Sequence, residues 1–201
     1  MADTVLETDI VRHSGKIHAH HCLRSSPIHS TFGEKLNVKS NHNKRCFPPV
    51  VDEHTELLIL GSLPGDASLA QQQYYAHPQN RFWQLLSDVF TIDLVNQDYQ
   101  QRLQSLLSHR IGLWDVVAQA KREGSLDSKI IERDDNDLLA LLSTLPALRR
   151  IAFNGGTASK IGLNILGPCA EDFQIHQLPS SSPAYTLAYA EKLKLWKLLR
   201  P

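Results

Sequence analysis

The stretch that decides the fold is Leu57-Leu58-Ile59-Leu60-Gly61-Ser62-Leu63-Pro64-Gly65-Asp66. Four consecutive large aliphatic residues are too few for a helix and have no polar face. A run of that kind closed by glycine reads as a strand buried on both sides. The glycines around Pro64 then turn the chain sharply and let backbone approach a ligand closely.

Working outward, the same grammar repeats. Phe82, Leu85, Leu86, Val89 and Phe90 recur at helical spacing, which predicts a helix opened by Pro78. A second helix is predicted over 98–108. Ile111-Gly-Leu-Trp-Asp-Val-Val117 reads as a strand, and 135–145 as a helix with Leu138, Leu141, Leu142 and Leu145 inward. Arg150-Ile-Ala-Phe153 reads as a strand closed by Asn154-Gly155-Gly156, and a helix is predicted to start within 157–164. Gln174 to Leu178 reads as a fourth strand, and Thr186 to Leu199 as a final helix with Tyr189, Leu193, Trp196 and Leu199 inward. Strands alternating with helices predict an α/β fold with a central, mainly parallel four-stranded sheet covered on both faces. In such sheets ligands gather beyond the carboxyl ends of the strands. Three of the predicted strands end in GSLPGD, NGG and PSSSP, so these loops are expected to converge on one edge. Taken singly, each also reads as an ordinary turn.

Composition bounds the function. The 201 residues carry 21 basic and 21 acidic side chains, which excludes a strongly basic nucleic-acid coat protein but not an enzyme with one positive cleft. No apolar run approaches a membrane span, and no secretory pattern is visible at the amino end. The three cysteines, Cys22, Cys46 and Cys169, are far apart and include no C-x-x-C pair, so a disulfide framework or a four-cysteine metal site is unsupported. A reducing, cytoplasmic setting is expected. Residues 1–49, rich in histidine and lacking apolar periodicity, read as a mobile, mildly basic extension. The run His18-Ala-His20-His21-Cys22 lacks a second ligand cluster, so no metal is assigned to it. Residues 50–201 are expected to form the working domain.

The pattern G-S-L-P-G-D-x-S-L-x-x-x-Q-Y-Y-A-H-P-x-N-x-F-W, from Gly61 to Trp83, resembles the first signature of the hypoxanthine (deoxyinosine) DNA glycosylases, a branch of the uracil-DNA glycosylase superfamily. Gly112-Leu113-Trp114-Asp115-Val116, Gly124-Ser125-Leu126-Asp127-Ser128, Phe153-Asn154-Gly155 and Leu178-Pro-Ser-Ser-Ser-Pro-Ala184 match in order. The resemblance implies a three-layer sandwich that excises deaminated bases from DNA without a cofactor. It implies that Asn80 is the catalytic residue. Other branches place Asp or Asn at the third position of the first motif, where Leu63 stands here and cannot activate water. It further implies base contacts from Gly61, Ser62, Tyr75 and Asn154, with Tyr75 stacking on the extruded base. DNA contacts are implied for Ser180, Ser181, Ser182, Pro183, Ala184 and Tyr185, of which Ala184 and Tyr185 are candidates to fill the vacated stack. Asp66 and His77 are possible auxiliaries.

The chemistry required is consistent with these residue types. Breaking the glycosidic bond leaves an oxocarbenium-like sugar and an anionic base, so the site must flip the nucleotide, stabilise the anion and place a water. No lysine falls in these motifs, so a Schiff-base lyase step is not expected. Lys160, Lys192, Lys194, Lys197 and Arg200 are further candidates for phosphate contacts, or a solvated helix face. The expected partner is DNA carrying a deaminated base, met by a monomer. Two alternatives stay open at this level: the same reaction on uracil, and a non-catalytic α/β module that binds nucleic acid.

Overall fold

The computed structural model describes residues 43–200. Its centre is a four-stranded sheet of β2 (Leu57–Gly61), β3 (Ile111–Asp115), β6 (Arg150–Asn154) and β7 (Gln174–Leu178), with every neighbouring pair parallel in the order β3-β2-β6-β7. All five residues of β2 are buried. Alternation along the strands divides them between two cores. Leu57, Ile59, Ile111, Leu113 and Ala152 face one core, and Leu58, Leu60, Ile151 and Phe153 face the other.

The first core is closed by α2 (Phe82–Phe90), α3 (Tyr99–Ser108) and α6 (Tyr189–Trp196). Phe82, Leu85, Leu86, Leu106, Trp196 and Leu199 are fully buried there. The second is closed by α4 (Leu138–Ser143) and α5 (Gly156–Leu166), through Leu138, Ala158, Ile161 and Leu166. Helices on both faces of a parallel sheet make the three-layer α/β sandwich that was expected. A short helix, α1 (Asp66–Gln71), follows β2.

Several boundaries differ from the expected ones, each for a local reason. Helix α2 begins at Phe82, not at Pro78. Residues 77–80 instead form a turn closed by the Asn80 N–H on the His77 carbonyl at 2.8 Å. Helix α3 starts where Asp98 and Gln101 form a reciprocal capping box. Helix α4 is shorter than predicted, because Ile131–Asp135 is a strand and Asp137 caps the helix at the Ala140 N–H. The final helix starts at Tyr189 and ends in a tight turn over Lys197–Leu199.

Strand–helix counting missed a second sheet. It is antiparallel, in the order β1-β4-β5, with β1 (Asn43–Arg45), β4 (Val117–Lys121) and β5 (Ile131–Asp135). Exposed, charged β5 has no apolar alternation to announce it. Strand β1 corrects the expected boundary of the extension. Residues 43–49 belong to the fold: β1 pairs with β4, and the Phe47 carbonyl accepts the Trp114 indole N–H at 3.0 Å. Residues 1–42, with the histidine run and Cys22, lie outside the described residues.

Helix α5 packs tightly on the sheet at Gly162, where an added methyl group would overlap the Phe153 ring. Gly162→Ala is expected to destabilise the domain by about 1–3 kcal/mol through overpacking. A lowered urea midpoint with an unchanged slope would confirm it; an unchanged midpoint would show that α5 shifts freely.

Candidate active site

At the carboxyl ends of the parallel strands lies a cavity of about 390 Å3. Pockets that hold whole small ligands run from roughly 300 to 1,000 Å3. The three loops expected to converge do so: Gly61 to Gly65, Asn154, and Ser180 to Tyr185 all line this cavity. Asn80, Tyr75 and His77 line it as well. Asp66 does not. It opens α1 from an exposed position and pairs with Lys44, which holds its carboxyl below the usual range. Its backbone N–H donates to Ser125 Oγ at 2.9 Å.

Tyr75 is built as a platform. Its backbone is left-handed at φ 54°, a conformation that costs a residue other than glycine of order 1–3 kcal/mol and persists only where packing enforces it. The packing is a stack on Phe82, with ring centroids 3.6 Å apart and planes 15° from parallel. Phe82 is core, as expected, and Trp83 braces the pair edge-on at 5.1 Å from Phe82. One face of Tyr75 is thus occupied, and the ring forms part of the cavity wall.

Asn80 sits one residue ahead of the N-cap of α2. Its Oδ1 accepts the Phe82 N–H at 3.0 Å, so the amide does cap the helix. No hydrogen bond is made by Nδ2 among the described residues. The side chain is therefore held by one lone pair, and its N–H groups and second lone pair remain available.

Asn154 lines the cavity and is also tied to a neighbouring loop. Its amide is engaged by the neighbouring loop: Oδ1 accepts the Ser181 N–H at 2.8 Å, and Nδ2 donates to Ser181 Oγ at 2.9 Å. This two-point clamp ties the loop after β6 to the loop after β7. Ser181 is buried, 1% exposed, within the cavity lining. Ser180 and Ser182 accept the N–H groups of Ser182 and Ala184, both at 3.2 Å, which leaves their O–H groups to donate outward. Pro183, Ala184 and Tyr185 are exposed at the rim.

Two of the expected surface cations also support the fold. Lys192 is buried, donates to the Ser182 carbonyl at 3.2 Å and lies over the Tyr185 ring. Arg200 donates to the carbonyls of Val89 and Asp88 at the end of α2. Lys160, Lys194 and Lys197 are exposed.

Sequence reasoning missed three polar residues. Arg122 is buried and anchors the first loop: its guanidinium donates to the carbonyls of Leu63, Pro64 and Gly124 and lies 3.6 Å from Asp127. An arginine just beyond a strand carries no sequence signal for that duty. Asp127, for which the motif match supplied no role, lines the cavity. Burial raises its pKa, and Ser62 and Arg122 pull it back. Asp115 ends β3 in the cavity wall at 3% exposure, and its Oδ2 has no hydrogen-bond partner. Burial, and next the charge of Asp127, push its carboxyl up to about 7. The signal was present in Gly112-Leu-Trp-Asp115, where an acid ends an apolar strand at the ligand edge.

A cavity walled by a supported aromatic ring, an anchored amide and an unpartnered carboxyl defines a site for one flat polar ligand on a three-layer α/β sandwich. Residues 48–200 match the Uracil DNA glycosylase superfamily. The chain belongs to that superfamily. It is similar to a hypoxanthine DNA glycosylase of Methanosarcina acetivorans, 45% identical over 141 residues, 70% of this chain and 87% of the relative. A hypoxanthine DNA glycosylase of Methanosarcina barkeri is 50% identical over 112 residues, 56% of this chain and 71% of the relative. The solution NMR structure of a Methanosarcina acetivorans protein described as a candidate uracil DNA glycosylase superposes with a TM-score of 0.70 at 41% identity, covering 78% of this chain and 96% of that one.

The raised Asp115 carboxyl makes stability depend on pH with a definite sign. The fold is least penalised where this group is neutral, below its unfolded value of 3.8, and loses stability as pH rises toward about 7. Asp115→Asn removes the penalty. It is expected to stabilise the domain at pH 8 by up to about 4 kcal/mol and to change little near pH 3.5. Urea midpoints at the two pH values check this; equal shifts at both would show that the carboxyl finds a partner when ionised.

Proposed function

We propose that this protein is a monofunctional DNA glycosylase that hydrolyses the N-glycosidic bond of deoxyinosine and releases hypoxanthine during base-excision repair. The observation that carries the reading is the cavity itself, which brings Asn80 and Tyr75 together in a chain 45–50% identical to relatives named for hypoxanthine. The extruded base stacks on Tyr75, a contact that contributes about 1–3 kcal/mol. Asn80, fixed by its bond to Phe82, orients the water that attacks C1′. Gly61, Ser62 and Asn154 lie against the base, and Asn154 also holds the Ser180–Ser182 loop in place. Pro183, Ala184 and Tyr185 press into the duplex from the rim. His77, exposed beside Asn80 with Nδ1 accepting the Gln79 N–H at 3.2 Å, is an auxiliary at the mouth. The protein acts as a monomer on the cell's own DNA. No helix among the described residues is long and apolar enough to cross a membrane.

A panel of duplex oligonucleotides tests this, each carrying one deoxyinosine, deoxyuridine or deoxyxanthosine and cleaved by alkali after reaction. Deoxyinosine is expected to be cut fastest. A panel in which uracil leads would favour the uracil reading that the NMR neighbour's description invites, and no cleavage at all would leave a binding module. Asn80→Ala is expected to lower single-turnover excision by about 100-fold, the scale of a lost positioning or proton-transfer group, with lesion binding kept. Unchanged turnover would remove Asn80 from the reaction.

A further inference from the structure

A buried carboxyl that serves the fold has hydrogen bonds to show for it. Asp127 has Ser62 and Arg122 beside it. Asp115 has no comparable support. The bond that Asn136 donates at 2.8 Å goes to its backbone carbonyl, while Oδ2 of the side chain is enclosed without a partner. An unpaired buried polar atom costs the fold about 1–3 kcal/mol, so such a group in a cavity wall marks a place where a ligand supplies the partner.

The backbone brings this carboxyl to the ligand deliberately. Register pairs Asp115 with Gly61, and Val116 and Val117 continue the contact by donating to the carbonyls of Gly61 and Ser62 at 2.8 and 3.1 Å. A methyl group at Gly61 would collide with Asp115 Oδ1 and stand 3.0 Å from the Tyr75 hydroxyl. That hydroxyl is enclosed in the same wall. Asp115 Oδ2 is thus an unsatisfied polar group in the wall of the proposed stacking platform, and Tyr75 Oη is enclosed near it with the Asn154 amide beside it. A flat ligand with several ring acceptors and donors suits them, and an apolar one does not.

Resting on the glycosylase reading, we propose that Asp115 is a second catalytic residue, an acid that enters the reaction neutral and delivers its proton to N7 of the departing purine. The step balances. The bond between C1′ and N9 breaks with its electron pair moving into the purine, and the carboxyl O–H bond breaks as N7 gains the proton. Water oriented by Asn80 forms the new bond to C1′ and loses a proton, which restores the acid directly or through solvent. The leaving base departs neutral. The site has no Asp or Asn in the third position of the first loop, where Leu63 is buried, and this acid works at the opposite end of the bond.

The surroundings keep the carboxyl neutral. Facing it are Asp127, whose charge opposes ionisation, and Arg122, whose charge favours it but is engaged by the carbonyls of Leu63, Pro64 and Gly124. The remaining titratable neighbours are Tyr74, Tyr75, Tyr99 and Cys46, all held neutral by burial. With the carboxyl's pKa raised to about 7, the competent form predominates below neutrality.

Single-turnover excision of deoxyinosine, followed from pH 5 to 9, tests this with wild type and Asp115→Asn, the variant expected above to fold stably. Wild-type rate should fall above pH 7 by about tenfold per unit, and the variant should be about 100-fold slower and flat with pH. On 2′-deoxy-7-deazainosine, which carries C–H in place of N7, the two proteins should react at one rate. A variant with the wild-type rate and profile overturns the proposal. Equal losses on both substrates would also overturn it, making Asp115 a positioning residue instead. A wild type that releases no hypoxanthine at any pH overturns the glycosylase reading, and this one with it. Release of hypoxanthine with an unchanged variant separates the two failures.

Discussion

Everything at the site depends on one close approach, between the last residue of β2 and the last residue of β3. Gly61 and Asp115 are paired in the parallel ladder, and the carboxyl fills the space a side chain at 61 would take. Because nothing larger than hydrogen fits there, the first loop leaves the sheet directly over an acid. Chain turn, base-facing backbone and carboxyl are thereby fixed relative to each other by main-chain hydrogen bonds. Such bonds hold geometry better than a side chain on a flexible loop could.

Around that contact the loops are held by buried polar groups. Arg122 gathers carbonyls from the loop after β2 and from Gly124. Asn154 and Ser181 join the loops after β6 and β7 by two short hydrogen bonds. Lys192 supports the last of these loops from behind through Ser182. Removing one partner of such a bond leaves the other buried and unsatisfied, which is why these groups rigidify a site out of proportion to their number. The result is a cavity formed before the ligand arrives, so binding energy can go into extruding the nucleotide rather than ordering loops.

Much of this was legible in the sequence, and what was not has a physical cause. The apolar run Leu57–Leu60 and the spacing of Phe82, Leu85, Leu86 and Val89 announced the sheet and its covering helix, because burial on both faces or on one leaves distinct periods. Convergence of the GSLPGD, NGG and PSSSP loops followed from strand polarity alone. The small antiparallel sheet was invisible, since Ile131–Asp135 is exposed throughout and carries no alternation. The tie between Asn154 and Ser181 was equally hidden, because amides and hydroxyls also suit bases and phosphates. Only coordinates show that each has the other as its partner. Lys192 is hidden for the same reason: a cation on a helix gives no sign of whether its head meets solvent or a carbonyl.

A folded chain ordinarily satisfies its buried polar atoms, and this one does so nearly everywhere. Among the described residues the exceptions include Asp115 Oδ2 and His176 Nε2, and the first lies in the cavity wall. Tyr75 adds a left-handed backbone in the same wall. Strain and unmet hydrogen bonding concentrated at one place lower stability without helping the fold, so their retention points to chemistry performed there. Arg122 sharpens the contrast. It lies close enough to neutralise an acid, yet its donors are turned to carbonyls and to Asp127. The carboxyl that ends β3 is thus kept short of both a counter-charge and a hydrogen bond. That shortage makes its proton available to a base, and a salt bridge at the same position would abolish the supply.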